Sequence, residues 1–246
     1  DLIPTYARLE ELKKLPGGDG ALIGAYLLRW LRAGQVEILQ QQGGMFGNKT
    51  EENLRLNPIT IPMGPYERQL YDMVVQAAGA DGVLQSKEFE KWNRKNYSST
   101  EGWLKSVKMG GHNAMRQLGA LAEMETTGLL GIKSRKTQLT PVGEKYTIEM
   151  FGFKKYLQDF TIINEREARE VQLWDEYLVF AQVFGIADQV AEQFKQLYPA
   201  YFQRPDAYGH GYYPDMWDIL ILTRLANSYS RAAYTGYRAG YQAAHT

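Results

Sequence analysis

Cysteine is absent from the chain, which excludes disulfides, thiolate metal sites and a cysteine nucleophile and fits a reducing compartment. Histidine is scarce. His112, His210 and His245 are the three in 246 residues, and none lies in a metal-ligand spacing. Excess charge is missing too: Lys+Arg and Asp+Glu each number 28, so the formal net charge is zero. A global attraction to nucleic acid or an anionic membrane is not indicated, which leaves only local patches. Long hydrophobic runs are lacking. Ala21 to Leu31 contains Arg29, and Met216 to Leu222 is short, whereas a spanning helix needs ~20 apolar residues. No basic-then-apolar leader opens the sequence. A start at Asp1 without methionine is expected of an excised fragment or a processed product.

Catalytic motifs are also missing. The glycine clusters Gly17 to Gly20 and Gly43 to Gly47 lack the Gly-Lys-Ser/Thr ending of a phosphate loop and read as turns. There is no Gly-x-Ser-x-Gly elbow, and the three histidines have no evident Ser or Asp partners. The expectation is a protein without cofactor or metal, and not an enzyme.

With 44% hydrophobic and 23% charged residues, the composition suits ordered globular structure. Leu2, Tyr6, Leu9 and Leu12 recur at helical spacing before the break at Pro16 to Gly20. Asp19 is placed to cap the next helix, about Ala21–Ala33, whose broad apolar stripe runs through Leu22, Tyr26, Leu27 and Trp30. Gly34 ends it. Val36, Ile38 and Leu39 read as a strand. A Gly-rich turn and Leu54, Leu56, Ile59 and Ile61 complete a hairpin.

The order then recurs. Pro65 starts a helix, Asp81-Gly82 makes a turn, and Ser86 caps a second helix. A third helix is expected over about Asn113–Thr127, ended by Gly128. Leu129, Leu130 and Ile132, a polar tip at Ser134-Arg135-Lys136-Thr137, and Gln138-Leu139-Thr140 read as a second hairpin. This is an approximate architectural repeat without sequence identity.

Beyond it, Pro141-Val142-Gly143 opens a helix, and Tyr146, Met150, Phe153 and Leu157 form its stripe. A following helix, about Asn164–Phe184, sets Glu165, Glu167, Glu170, Asp175 and Glu176 opposite Leu173, Tyr177, Phe180 and Phe184. Phe151, Phe153, Tyr156, Leu157, Trp174, Tyr177, Phe180 and Phe184 are the expected core of this module. Ala187–Leu197 and a stretch from Trp217 onward read as further helices, separated by a Pro/Gly loop over 203–215.

The fold class is therefore mainly α with small β-hairpins (α+β): tandem winged-helix-like units followed by a helical C-terminal module. The divisions fall at residues 1–63, 64–142 and 143–246.

Two stretches carry a resemblance. One is Leu22-Ile23-Gly24-Ala25-Tyr26-Leu27-Leu28-Arg29-Trp30-Leu31 with Gly34-Gln35-Val36. The other is Leu139-Thr140-Pro141-Val142-Gly143, then Phe151-Gly152-Phe153-Lys154-Lys155-Tyr156-Leu157, then Leu173 to Ala181 and Phe184-Gly185-Ile186-Ala187. Both resemble the predicted bacterial membrane proteins grouped as domain of unknown function DUF2207. The resemblance implies a cytosolic C-terminal region of a membrane-anchored protein. It places this chain on the cytoplasmic side of the cell membrane, anchored through spans outside these residues. It brings no activity and no catalytic residue.

Candidate contacts remain. Lys133, Arg135 and Lys136, with the nearby Lys87, Lys91, Arg94, Lys95, Lys105, Lys108 and Arg116, make the second unit locally basic, as a wing that touches phosphates would be. Tyr208, Tyr212 and Tyr213 crowd the Pro/Gly loop and can anchor a partner or pin the loop to the core. Arg224, Arg231 and Arg238 recur every seven residues on one side of the last helix, a solvated face or a weak contact for anionic lipid. The favoured partner is an unidentified protein. Nucleic acid, bound by a winged-helix regulator, is the alternative.

Overall fold

The computed structural model describes residues 2–15, 18–43, 49–127, 133–159, 174–197 and 216–246. Helices α1 (Leu2–Glu11) and α2 (Gly20–Arg32) precede the hairpin β1 (Val36–Gly43) and β2 (Lys49–Leu56). Helix α3 (Pro65–Ala78), a short 3-10 turn (Gly79–Asp81) and strand β3 (Val83–Leu84) lead into α4 (Ser86–Lys95) and α5 (Tyr97–Gln117). A ribbon of β4 (Leu121–Thr127) and β5 (Lys133–Leu139) follows, then α6 (Pro141–Gln158), α7 (Trp174–Val183), α8 (Ala187–Leu197) and α9 (Met216–His245). The protein is mainly helical with small antiparallel strand pairs, as expected from its sequence.

Helix α2 is the axis of the core. It is apolar almost all round, as a fully enclosed helix must be. Gly20 and Gly24 let α9 and α7 approach it closely. A Cβ on Gly24 would stand 2.7 Å from the Gln182 amide nitrogen, and one on Gly20 would stand 3.0 Å from the Ser230 hydroxyl. Trp30, fully buried, donates its indole N–H to Glu67 of α3 at 2.9 Å. That carboxylate, itself buried, also pairs with Arg29 at 3.1 Å. A charge taken out of water needs such partners to be tolerated.

The end of α2 shows why the chain turns where it does. Gly34 adopts φ +67°, a conformation open to glycine at little cost. The Gln35 N–H then reaches back to the Trp30 carbonyl at 2.9 Å, closing the last turn. The Gln35 side chain, wholly buried, donates to the carbonyls of Asn57 (2.7 Å) and Pro58 (2.9 Å). Its Oε1 accepts from the Thr60 N–H at 2.9 Å. This one amide satisfies the irregular segment after β2. Ile59 and Ile61 therefore lie beyond the strand, which ends at Leu56, and not within it as their spacing predicted.

Helix α5 ends in the same way nine residues before the expected Gly128. Gly119 takes φ +70°, and the Ala120 N–H bonds the Met115 carbonyl at 2.8 Å. Leu121–Thr127, expected to be helical, is strand β4. The sequence Lys133 to Thr137, expected to hold the hairpin tip, lies within β5. Leu129, Leu130 and Ile132 fall outside the described residues. The order helix, positive-φ glycine, antiparallel hairpin thus occurs twice, at α2–β2 and at α5–β5.

Strand β3 joins the first hairpin, pairing Leu54 with Leu84 in a sheet of order β1-β2-β3. One large core runs from Tyr6 to Ala233, and a small one gathers Met115, Ala120 and Leu121 with Leu139 at the root of the ribbon. Two caps differ from expectation. Ser86 is the first residue of α4, and Gln85 takes the cap position, its N–H bonded to Glu88 at 3.2 Å. Asp19 precedes α2 without a side-chain cap bond. Its carboxylate accepts from the Tyr6 hydroxyl at 3.1 Å instead.

The expected core residues of the C-terminal part divide. Leu157 and Phe184 are buried. Phe151, Phe153, Tyr156, Tyr177 and Phe180 pack half-buried against the core, with the Phe153 ring 5.5 Å from Tyr177 and 5.6 Å from Phe180. The fully buried face of α7 is instead formed by Leu178, Ala181 and Val183. The Trp174 side chain and the acidic residues Glu165, Glu167 and Glu170 lie outside the described residues.

Candidate functional site

The β4–β5 ribbon stands on α5 and α6. Among the described residues, each strand pairs only with the other. Its root is pinned by the Thr140 N–H bonding the Ala120 carbonyl at 3.1 Å and by the Thr140 hydroxyl capping α6 at Gly143. Helix α6 is tied in turn to α1, through Thr5–Tyr146 (2.9 Å) and Arg8–Thr147 (2.9 Å). These bonds fix which face of α6 points outward.

The register decides what the ribbon presents. Cross-strand partners share a face, and successive residues alternate. Leu121, Glu123 and Glu125 therefore lie with Leu139, Thr137, Arg135 and Lys133, while Met124 lies with Lys136 on the other side. The basic residues do not converge. Lys133 and Arg135 both flank Glu125, at 3.9 and 3.8 Å, and Lys136 faces away from them. Three more cations of the second unit are neutralised locally. Lys105 pairs with Glu101 at 2.7 Å, Lys108 with Glu10 at 2.8 Å and Arg116 with Glu123 at 3.8 Å. Lys87, Lys91, Arg94 and Lys95 are exposed on α4. Tyr208, Tyr212 and Tyr213 lie outside the described residues.

Sequence reading missed the apolar side of this region. Leu118 (56% exposed), Met124 (52%), Val142 (53%) and Ile148 (72%) all stand in water on or beside the ribbon. Singly exposed apolar residues are ordinary, but four of them fall between residues 118 and 148, at the end of α5, on β4 and on α6. Once the strand register is known, the signal is plain: Met124 alternates against the buried Leu121, and Ile148 lies off the stripe of Gly143, Met150 and Leu157.

A second feature is an open polar groove of about 420 Å³ along α9, walled by Ser86 and Glu90 of α4 and Asp188 of α8. Arg224, Arg231 and Thr235 line it from α9. Arg224 grips Glu52 with both carboxylate oxygens, at 2.9 and 2.8 Å. An amide relay runs from Asp188 to Asn227 (2.9 Å) to the buried Gln182 (2.6 Å), locking α7, α8 and α9 together.

Burial pushes the phenols of Tyr6, Tyr26 and Tyr229 well above the usual tyrosine range, with Asp19, Glu67 and Glu88 respectively adding to the effect. At Lys108, desolvation acts downward, but Glu10 and Asp19 outweigh it and hold the ammonium above its ordinary value. These shifted groups are scattered through the helix packing and do not share the groove. Among the described residues, no three His, Asp or Glu side chains are grouped to hold a metal. Nor is any described helix long and apolar enough to cross a membrane.

No curated protein and no solved structure matches this chain. A family model does match over residues 118–194, which run from the last turn of α5 through the ribbon and α6 into α8. The first familiar stretch, Leu22 to Val36, lies outside that match. Residues 118–194 match the model described as the C-terminal domain of DUF2207, a predicted membrane protein.

Proposed function

We propose that this chain is a non-enzymatic protein-interaction module of a membrane-anchored protein, and that it docks its partner on the β4–β5 ribbon and the outward face of α6. One observation carries the reading: the exposed apolar group Leu118, Met124, Val142 and Ile148 falls within the family-matched segment. Covering such side chains is worth roughly 25 cal/mol per Å² of apolar surface removed from water. The unpaired outer edges of β4 and β5 also offer backbone groups to an extended partner segment. In this reading the module works on the cytoplasmic side, and the membrane is reached through spans outside these residues.

The test is capture of partners from solubilised membranes by this chain, beside a Met124→Glu plus Ile148→Glu variant. A partner that binds the first and is lost from the second, with melting unchanged, supports the reading. Equal capture by both contradicts it.

The nucleic-acid alternative rests on Lys133, Arg135 and Lys136. The pairing of Lys133 and Arg135 with Glu125, and the placing of Lys136 on the other face, weigh against it. Tight duplex-DNA binding with a steep salt slope, lost on Arg135→Ala plus Lys136→Ala, would restore it.

A further inference from the structure

Helices α4 and α9 run side by side and in the same direction. Gly236 sits against the Glu90 carbonyl and Gly240, one turn later, against the Arg94 carbonyl. The pairing puts the outer faces of both helices on one side of the protein. The groove described above opens there, with Ser86 and Glu90 on one wall and Arg231 and Thr235 on its floor. At roughly 100° per residue, Arg94 and Lys87 follow Glu90 round α4 by about 40–60°, away from the buried Phe89 and Asn93. Lys91 and Lys95 follow them.

The charge on this side is lopsided in a chain whose net charge is zero. Lys87, Lys91, Arg94, Lys95 and Arg231 make no ion pair with a described residue, and Arg238 lies 5.9 Å over the Tyr234 ring. Against these six stand Glu88, Glu90 and, on the far wall of the groove, Asp188, which is held by Asn227. Past Asp218 the chain contains no acidic side chain. Several other cations are matched, Arg224 of the groove itself by Glu52, Lys108 by Glu10 and Arg135 by Glu125.

Tyrosines line the adjoining flank of α9, Tyr234 against Gly18 and Gly20, Tyr237 half-buried against the core and Tyr241 exposed. Tyr234, Tyr237 and Tyr241 climb α9 at helical spacing, and Tyr97, where α4 passes into α5, meets Tyr241 edge-on at 6.3 Å. A tyrosine with an apolar ring and a polar tip is favoured at the level of lipid headgroups.

We propose that the α4/α9 face is a docking surface for an anionic phospholipid bilayer. It holds the module flat against headgroups while the ribbon remains free for its partner. The inference draws on the predicted-membrane-protein family for the nearness of a bilayer, but it uses a different surface from the ribbon, so either can fail alone.

The test is co-sedimentation of this chain with vesicles of phosphatidylcholine, and with vesicles of phosphatidylcholine mixed with phosphatidylserine. Binding to the mixed vesicles alone, released by high salt, is expected. Each cation near the surface is worth about fivefold in partitioning. Replacing Lys87, Lys91, Arg94 and Lys95 by Gln should therefore weaken binding by about a hundredfold or more. Because all four side chains are exposed, circular dichroism of that variant should match the parent. Arg231→Gln plus Arg238→Gln should weaken it further, while Lys133→Gln plus Arg135→Gln on the ribbon should not. Absence of binding to the mixed vesicles, equal binding to phosphatidylcholine alone, or an equal loss from the ribbon variant would overturn the proposal. So would short duplex DNA that displaces the vesicles from this face at matched phosphate concentration.

Discussion

Gly236 of α9 lies directly on the backbone carbonyl oxygen of Glu90 in α4, with no room for a Cβ between them. Gly240 repeats the contact on Arg94, and the buried Ala232 precedes them at the same interval. A stripe of small residues spaced by four brings two helix backbones together, and the buried Tyr229 hydroxyl fixes their register by donating to the Leu84 carbonyl at 2.8 Å. Gly236→Ala should therefore push α4 from α9 and cost at least the ~1–3 kcal/mol of an overpacked site. Gly152→Ala on α6, where a new Cβ meets nothing within 4 Å, should stabilise by up to about 1 kcal/mol. Urea melts of the two variants check this. A neutral Gly236→Ala would show that the seam adjusts freely.

Gln35→Ala should be among the most damaging polar substitutions in the protein. It removes the side-chain partner of the Pro58 carbonyl and the Thr60 N–H, and leaves the Asn57 carbonyl with the Tyr71 hydroxyl alone at 2.6 Å. Each buried group left unpaired costs about 1–3 kcal/mol. Gln40→Ala, an exposed site on β1, should cost little. Thermal melts that show similar losses for both would refute the role assigned to Gln35.

Half-buried and buried aromatics should separate in the same assay. Phe184→Ala should cost about 3–5 kcal/mol, as expected of a fully buried ring. Phe180→Ala should cost clearly less, because its ring is only partly covered beside Phe153. An equal loss would place Phe180 in the core, as its helical spacing first indicated.

Much of the fold was legible because its punctuation is local. Gly34, Gly64-Pro65 and Asp81-Gly82 mark boundaries wherever they occur, and the stripe Leu22 to Leu31 needs only helical period to be read. The misreading at α5 has a definite cause. Met115, Leu118, Leu121 and Ala122 keep helical spacing across Gly119, so the apolar pattern hid the glycine that ends the helix. The alternation that follows, with Leu121 inward, Ala122 outward and Thr126-Thr127 beyond, was the competing strand signal. Displacing that boundary moved Lys133 to Lys136 from a tip into a strand, and the ribbon's apolar side was lost with it. The α4–α9 seam depends on residues more than a hundred positions apart. No local pattern pairs Gly236 with Glu90.

Alkaline pH should unfold the protein cooperatively. Tyr6, Tyr26 and Tyr229 are held neutral by burial, so their folded pKa values lie above the unfolded value of 10.0. A raised pKa contributes stability that is fully present below the unfolded value and lost as pH rises toward the folded one. The raised Lys108 acts in the same direction above the ordinary lysine value of 10.5. Tyrosinate absorbance of the buried phenols should therefore appear together with the loss of helical ellipticity above about pH 10. Ionisation of all the tyrosines well before any unfolding would contradict the burial described.

The ribbon and the outer face of α6 are the proposed seat of a protein partner. The most direct measurement places a photo-crosslinking amino acid at Met124, at Ile148 or at Val75 of this protein, in the cells that make it. Val75 is the control, since it is also exposed but lies on α3, outside the family-matched segment. One discrete crosslinked protein is expected from Met124 and from Ile148, and none from Val75. A crosslink from Val75 alone, or no discrete product from Met124 and Ile148, would contradict it.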